Sequence, residues 1–360
     1  MKIASLSASL LFLMGLARAG QAGLLDDVYL QIGGLRSSSG LSGGLEYYNQ
    51  RLWDERLRLS VEALFSHRLY QRDSVELSQP HIWYNWFFWE AQASYGNYPD
   101  VDFYGLGPDS AKDDRTTYLE EPFLVTARLG IRPRRVLRAG LLLGYARYNA
   151  GSGRDSGVPS AHEAFSDAEL PGFDAQPRYR RLGAFLALDL RDERKDPSRG
   201  GLARLEWLRS SETRGLPHDY DAIVVDLQHY RPVRWNVTLA LRALGRFTLG
   251  EDGQEVPFYL LPSLGATTSL AGYSSDRFRD RHALVLNAEL RWRWTELVIL
   301  AGFLDVGQVV PRLADVGSGG LAASAGAGIY LKMGGQVVAG VNLGVSDEGA
   351  RVGVTGSYRF

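Results

Sequence analysis

The chain has 360 residues, 40 Lys and Arg against 41 Asp and Glu, and no Cys. The near-zero net charge, with no basic cluster carrying interleaved aromatics, gives no basis for a nucleic-acid partner. The absence of Cys excludes a disulfide framework, so stability must come from another source.

Met1-Lys2, the short apolar stretch 4–16 and Ala17-Arg18-Ala19 read as the three parts of a secretory signal peptide cleaved after residue 19. The apolar stretch is too short for a spanning helix, which needs roughly 20 residues. The apolar run 297–304 is typical of the longest that follow, and Asp305 ends it at once.

What recurs along residues 20–360 is alternation, bounded by Gly, Pro, Asn and Asp. Strands are expected at 27–34, 41–49, 55–66, 69–78, 82–96, 117–131, 135–149 and 179–191. They continue at 201–211, 220–231, 234–248, 281–294, 297–306, 320–332, 335–345 and 351–360. The segment 281–294 is the clearest, with His282, Leu284, Leu286, Ala288, Leu290, Trp292 and Trp294 on one face. Its other face carries Arg281, Asn287, Glu289, Arg291 and Arg293. A period of two separates these sets, which suits lipid on one side and a polar lumen on the other. At the end of the chain Val352, Val354, Gly356, Tyr358 and Phe360 alternate with Arg351, Gly353, Thr355, Ser357 and Arg359.

Sixteen strands form an even set, as expected for a single-chain bacterial barrel. The connections divide by length. Short turns fall at 49–54, 79–81, 131–134, 192–200, 231–233, 294–296 and 332–335, whereas 97–116, 150–178 and 249–280 lie on the opposite side. Short periplasmic turns with long external loops are the known asymmetry of such barrels. The expected architecture is therefore all-β: a 16-stranded antiparallel transmembrane β-barrel of the outer membrane, forming one domain over residues 20–360. The aromatic stretch 83–89 reads as girdle and lipid-facing packing.

At the eighth turn, Asp189-Leu-Arg191-Asp192, followed by Pro197 and Gly200, resembles the D-x-R-D…P-x-x-G turn of the BamA/TamA outer-membrane assembly superfamily, the bacterial surface antigen family. The resemblance implies lumen-facing Asp and Arg, a turn restricted by Pro, and a tight return at Gly. Residues 269–280, with Gly272, Tyr273, Arg277 and Arg279, resemble the family's sixth external loop, which folds back into the barrel. In relatives an Arg at its tip is held by lumenal carboxylates, and Glu289 and Asp305 match those acidic positions. Ala271 stands where the motif has Arg. Carboxylates without a partner are costly in a low-dielectric lumen. Arg277 or Arg279 could take over the pairing, or Arg291, Arg293 or lumenal water could satisfy Glu289 locally. Tyr358-Arg359-Phe360 resembles the C-terminal aromatic signal by which barrel assembly machinery recognises its clients, with Gly356 one position from the usual Gly.

About seven residues separate the expected cleavage site from the first strand, too few for the periplasmic POTRA domains of larger relatives, since a folded domain needs roughly 50. The chain therefore resembles a short, POTRA-less branch. No H-E-x-x-H, G-x-S-x-G, P-loop or C-x-x-C occurs, the six His are scattered, and Ser110, Ser274 and Ser275 read as loop polar groups. No enzyme, cofactor or metal is expected. The expected partners are outer-membrane lipids and, during biogenesis, the barrel assembly machinery; the client is unspecified. Two functions fit: assistance to insertion or translocation of protein or lipid through a weak seam between the first and last strands, or a passive pore.

Overall fold

A computed structural model describes residues 28–52, 56–251, 253–317 and 319–360. The expected signal peptide and its cleavage site lie outside the described residues. The strands are β1 (Val28–Ile32), β2 (Ser42–Arg51), β3 (Leu57–Ser66), β4 (Gln71–Ile82), β5 (Phe87–Phe103) and β6 (Thr116–Arg134). Next come β7 (Leu137–Ser152), β8 (Arg178–Asp189), β9 (Gly200–Glu212), β10 (Tyr220–Arg234) and β11 (Val237–Gly250). Two short strands follow, β12 (Ser263–Leu264) and β13 (Phe278–Arg279), and then β14 (His282–Arg293), β15 (Val298–Val310), β16 (Ala322–Met333), β17 (Gln336–Ser346) and β18 (Gly349–Thr355).

Sixteen of these form one antiparallel sheet in chain order, while β12 and β13 pair only with each other. Every expected strand is present in the expected order. The sheet is an antiparallel transmembrane barrel wall, and contacts across its inner side report its curvature. Arg128 on β6 reaches Glu206 on β9 at 3.2 Å, and Asp196, beyond β8, meets Lys332 on β16.

Alternation fixes which side chains face inward. On β14, Val285, Asn287, Glu289 and Arg291 are buried, while Leu286, Leu290 and Trp292 are exposed. Exposed Leu, Val and Trp recur from β1 to β18. Such a belt exceeds what a water-facing surface tolerates and matches a hydrocarbon band. At one rim the sheet turns through 135–136, 235–236 and 334–335; at the other it carries 104–115, 153–177 and 251–281. One register shift, Tyr98/Val101, lies toward the long-loop rim, and those at Gln79/Ile82, Ile131/Arg134, Pro232/Arg234 and Leu331/Lys332 sit at the short-turn rim. Bulges there bend strand ends where the ladder terminates.

Several strand ends shift, most of them by a few residues, and β5 runs on to Phe103 rather than ending at 96; two further differences change the chain's path. The fourth turn lies at 83–86 rather than 79–81, because Trp83, Tyr84 and Asn85 take φ of 44°, 54° and 68°. That left-handed run reverses the chain and places the exposed rings of Trp83 and Tyr84 in the turn itself. At the other end β18 stops at Thr355 instead of reaching residue 360. The final segment leaves the sheet, and Tyr358 and Arg359 are buried.

Candidate functional site

The loop between β11 and β14 folds into the barrel. Near the long-loop rim its Phe258 and Tyr259 pack with Phe103, Tyr118, Tyr148 and Tyr179 in an aromatic cap. Phe258 meets Phe103 and Tyr118 edge-on at 4.9 and 5.0 Å. Deeper down, Leu264, Leu270 and Tyr273 pack on Leu244, Ala283, Val285 and Val309 of the wall. The loop is thus anchored by apolar burial at two levels, and the β12–β13 ladder stiffens it between them.

The loop tip lies against β17. A side chain at Gly344 would meet the Ala271 carbonyl carbon at 2.4 Å, and one at Gly272 would meet the Val345 carbonyl carbon at 2.7 Å. Glycine on both surfaces is what lets two backbones approach so closely. Ser346 Oγ donates to the Gly272 carbonyl at 2.9 Å, and Tyr273 Oη donates to Asp347 Oδ1 at 2.6 Å.

Arg277 and Arg279 do not pair with Glu289 or Asp305. Arg277 Nε donates to Glu348 Oε1 at 2.6 Å and its Nη2 to the Ser110 carbonyl at 2.7 Å, joining three loops at the rim. Arg279 donates to the Phe258 carbonyl at 3.2 Å and to Asp276 at 3.3 Å. Both lie near the β12–β13 ladder and the rim, so they serve the upper part of the plug. Asp276 is also 3.6 Å from Arg36. Burial alone would raise the Asp276 carboxyl, but Arg36 and Arg279 hold it below the usual carboxylate range.

The two inward carboxylates have other partners. Glu289 accepts from Arg291 Nε at 2.9 Å, two residues along the same face of β14, so the local alternative holds for this residue. Asp305 is fully buried and takes its cation from the end of the chain: Arg359 Nη2 donates to Asp305 Oδ2 at 2.6 Å. Ala271, at the position of the missing motif Arg, gives Asp305 only its backbone N–H, at 3.1 Å. Asn287 and Ser324 complete the shell at 2.8 and 3.0 Å. Arg359 also donates through Nε to the Thr267 carbonyl at 2.7 Å, so it bridges plug and wall. Its guanidinium lies 3.8 Å from the Phe303 ring centre.

The final aromatics are turned inward, away from the lipid-facing positions that alternation assigned to them. Tyr358 packs with Ile299, Ala301 and Tyr330, and the Arg291 guanidinium lies 3.8 Å over its ring. Arg291 Nη2 also donates to the Phe360 carbonyl at 3.0 Å.

The D-x-R-D turn reaches this place from across the lumen. Asp189 accepts from Arg191 at 2.8 and 3.0 Å. Asp192 accepts Ser198 N, Ser198 Oγ and Arg199 N at 2.9, 2.6 and 3.1 Å, which closes the turn on itself. Pro197 is buried, and Gly200 has φ +89°, where a Cβ would strike the Leu190 carbonyl at 2.0 Å. The turn so formed projects Asp196, which sequence reasoning did not single out. Asp196 accepts from Tyr358 Oη at 2.7 Å, lies 3.0 Å from Arg293, and also pairs with Lys332. Burial would raise its pKa, but Lys332, Tyr358 and Arg293 together hold it below the usual carboxylate range.

At the sheet's edges, β1 is laddered only to β2 and β18 only to β17 among the described residues. Between β18 and the connection that follows β1 lies a cavity of about 580 Å³, bordered by Gly34, Leu41, Thr267, Tyr273 and Val352. The folded-in loop and β18 therefore border one space. Among the described residues no group of three or more His, Asp or Glu is placed to hold a metal.

Comparison with known proteins agrees with this geometry. BamA from Haemophilus ducreyi lacking POTRA domains 1–3 superposes with a TM-score of 0.66 at 14% identity, covering 92% of this chain and 69% of that one. CdiB from Escherichia coli gives 0.57 at 17% identity over 91% of this chain, and CdiB from Acinetobacter baumannii gives 0.57 at 11%. The chain spans 60% and 58% of those two CdiB chains. No curated protein matches it. The Omp85 superfamily domain matches residues 29–335, and with that span matched the chain belongs to the Omp85 superfamily.

Proposed function

We propose that this Omp85-type barrel assists insertion or translocation of protein or lipid at the bacterial outer membrane. In this reading the 251–281 loop is a resident lumenal plug, and the edge between β1 and β18 is the working seam. The supporting observation is that both edge strands lack a second ladder partner among the described residues, while the loop borders one cavity with β18 and the connection after β1. Unpaired strand edges in hydrocarbon are costly, which favours their pairing with an incoming strand or with each other. Export by a cleaved signal peptide and biogenesis by assembly machinery belong to the same reading, and no catalytic step is assigned.

The test is planar-bilayer conductance of the refolded barrel beside a variant lacking residues 266–280. It is paired with the rate at which an unfolded outer-membrane barrel inserts into vesicles carrying either protein. The expected result is a nearly silent native barrel, large steps after the deletion, and faster client insertion than in protein-free vesicles. A large, steady native conductance unchanged by the deletion, with no acceleration of insertion, would leave a passive pore.

A further inference from the structure

The outer surface of β7 and β8 carries three arginines that the wall leaves unpaired. Alternation puts Tyr145 and Arg147 on the lipid side of β7, in line with the exposed Leu141 and Leu143. It puts Arg178 and Arg180 on the same side of β8, in line with the exposed Leu182 and Leu186. Ala146, Tyr148 and Tyr179, between them in sequence, are buried on the inner side. All three arginines are exposed. Among the described residues none of their guanidinium groups forms an ion pair or a hydrogen bond.

The register makes this arrangement costly. Arg147 lies directly opposite Arg178, and Tyr145 opposite Arg180. Like charges opposed across an antiparallel pair repel, and Arg180 adds a third charge two residues along the same face of β8. β9, next door, shows the alternative. Arg209, opposite Leu182, donates to Asp221, Glu251 and Asp219 at 3.0, 2.8 and 3.3 Å. The wall can therefore neutralise an outward arginine near this height, and does so one strand away. The carboxylates flanking the three arginines are engaged elsewhere. Glu121 on β6 accepts from Asn149 at 2.6 Å, and Glu212 on β9 accepts from the backbone N–H groups of Arg178, Arg214 and Leu216.

Height on the wall identifies the chemistry of the missing partner. Arg147 is the eleventh residue of β7 counted from the short-turn rim, and roughly 9–11 residues carry a tilted strand across the hydrocarbon core. Arg178 and Arg180 open β8 as it re-enters from the long connection 153–177. Phe123, exposed on β6 opposite Arg147, lies at the same level with Tyr145, where an aromatic girdle marks the interface. The three charges thus sit at the headgroup level on the long-loop side, the external one in barrels of this kind. Below them runs an apolar strip of Leu141, Leu143, Leu182 and Leu186. Guanidinium forks match phosphate oxygens, and the strip matches acyl chains.

We infer that Arg147, Arg178 and Arg180 form a binding site for a phosphorylated glycolipid of the external leaflet, with phosphate on the arginines and acyl chains along the leucine strip. The bound phosphate supplies the counter-charge that the wall withholds here and provides at Arg209. The site lies near the middle of the strand order, away from the plug and from both edge strands, so it stands or falls independently of the proposed seam.

The test is native mass spectrometry of the refolded full chain in detergent, with a diphosphorylated, acylated glucosamine disaccharide added. One retained lipid per barrel is expected, and the same lipid stripped of its phosphates should bind at least about tenfold more weakly. A variant combining Arg147→Gln, Arg178→Gln and Arg180→Gln should show the same loss, and Arg178→Gln alone a partial one. Arg231→Gln removes an exposed arginine from the same side of the wall at the short-turn rim and should bind like the native chain. In lipid-free detergent the triple variant should unfold at no lower urea concentration than the native barrel, since it relieves the opposition of Arg147 and Arg178. Unfolding at lower urea would show that the arginines serve the wall itself. Equal loss in Arg231→Gln would reduce the effect to total charge, and displacement of the lipid by millimolar inorganic phosphate would make this a site for the free anion. Each of these outcomes, like undiminished binding in the triple variant, would overturn the lipid site.

Discussion

The two sides of the barrel use one strand pattern for opposite purposes. On β2 to β5 the inward residues Glu46, Ser60, Glu62, Arg72, Glu76 and Gln92 border an open polar cavity of about 410 Å³. On β14 to β16 the inward Asn287, Glu289, Arg291, Asp305 and Ser324 are buried, with the plug packed over Asn287 and Asp305 and the final segment over Glu289 and Arg291. Alternation decides only which face a side chain takes. Whether that face stays open depends on a loop and a chain end that arrive from elsewhere. The same carboxylate chemistry should therefore carry very different weights on the two walls.

Removing one inward carboxylate from each wall breaks or confirms this contrast. Asp305→Asn leaves Arg359 charged and buried, and the loss of one partner of a buried pair costs about 3–5 kcal/mol. Glu62→Gln on the open wall breaks the 2.7 Å contact with the partly exposed Arg72, for which about 0–1 kcal/mol is expected. Urea midpoints of the two variants, refolded side by side, measure both. Equal midpoints would mean that the covered wall is wet after all. A smaller effect is expected where plug and wall meet through glycine. Gly344→Val places atoms inside the Ala271 backbone, so the tip must shift, at about 1–3 kcal/mol for an overpacked contact. Protease nicking within 266–280 should increase in that variant and remain at the native level in Ser60→Val on the open wall.

The contrast also separates what the sequence discloses from what it does not. All sixteen strands of the sheet follow from period-two runs and the division into short and long connections, because side-chain alternation is a local property. The inward placement of Glu289 and Asp305 follows in the same way. The aromatic run 83–89 hid a turn, since its left-handed residues are Trp83, Tyr84 and Asn85 rather than Gly. Partners across the lumen were beyond reach. Arg359 and Asp305 are 54 residues apart and Tyr358 and Asp196 are 162 apart, and the second contact turns inward a ring that alternation assigned to the lipid face. The uncharged Ala271 at the loop tip raised the question of what replaces an arginine, another cation or lumenal water. It did not give the answer.

A third substitution tests the plug at its polar edge. Tyr273→Phe removes the bond to Asp347 and leaves the ring packed against Leu264 and Phe278. About 1 kcal/mol is the expected loss. Hydrogen exchange at the loop tip, from 270 to 274, should quicken several-fold while the aromatic cap around Phe258 keeps its protection. Uniform loss of protection across both levels would show that cap and tip unfold as one unit rather than two anchors.

The smallest effect belongs to pH, at the short-turn rim. Burial alone would raise Asp192, but the hydrogen bonds from Ser198, Arg199 and Glu193 lower it to about 2. A carboxylate depressed in the folded state stabilises fully above its unfolded value, near 3.9, and that contribution is lost as pH falls through the folded value. The window is therefore about pH 4 down to about 2. Because Asp192 is exposed, solvent screening reduces the contribution to about 0.5 kcal/mol or less. Backbone exchange in the turn 190–199, corrected for intrinsic rates, should accelerate as pH drops through that window. Asp192→Asn should remove the pH dependence while leaving Asp196 and its bond to Tyr358 in place. If the variant instead frees Tyr358, the turn is more than a platform for Asp196: its own closure sets the position of the final segment on the far wall.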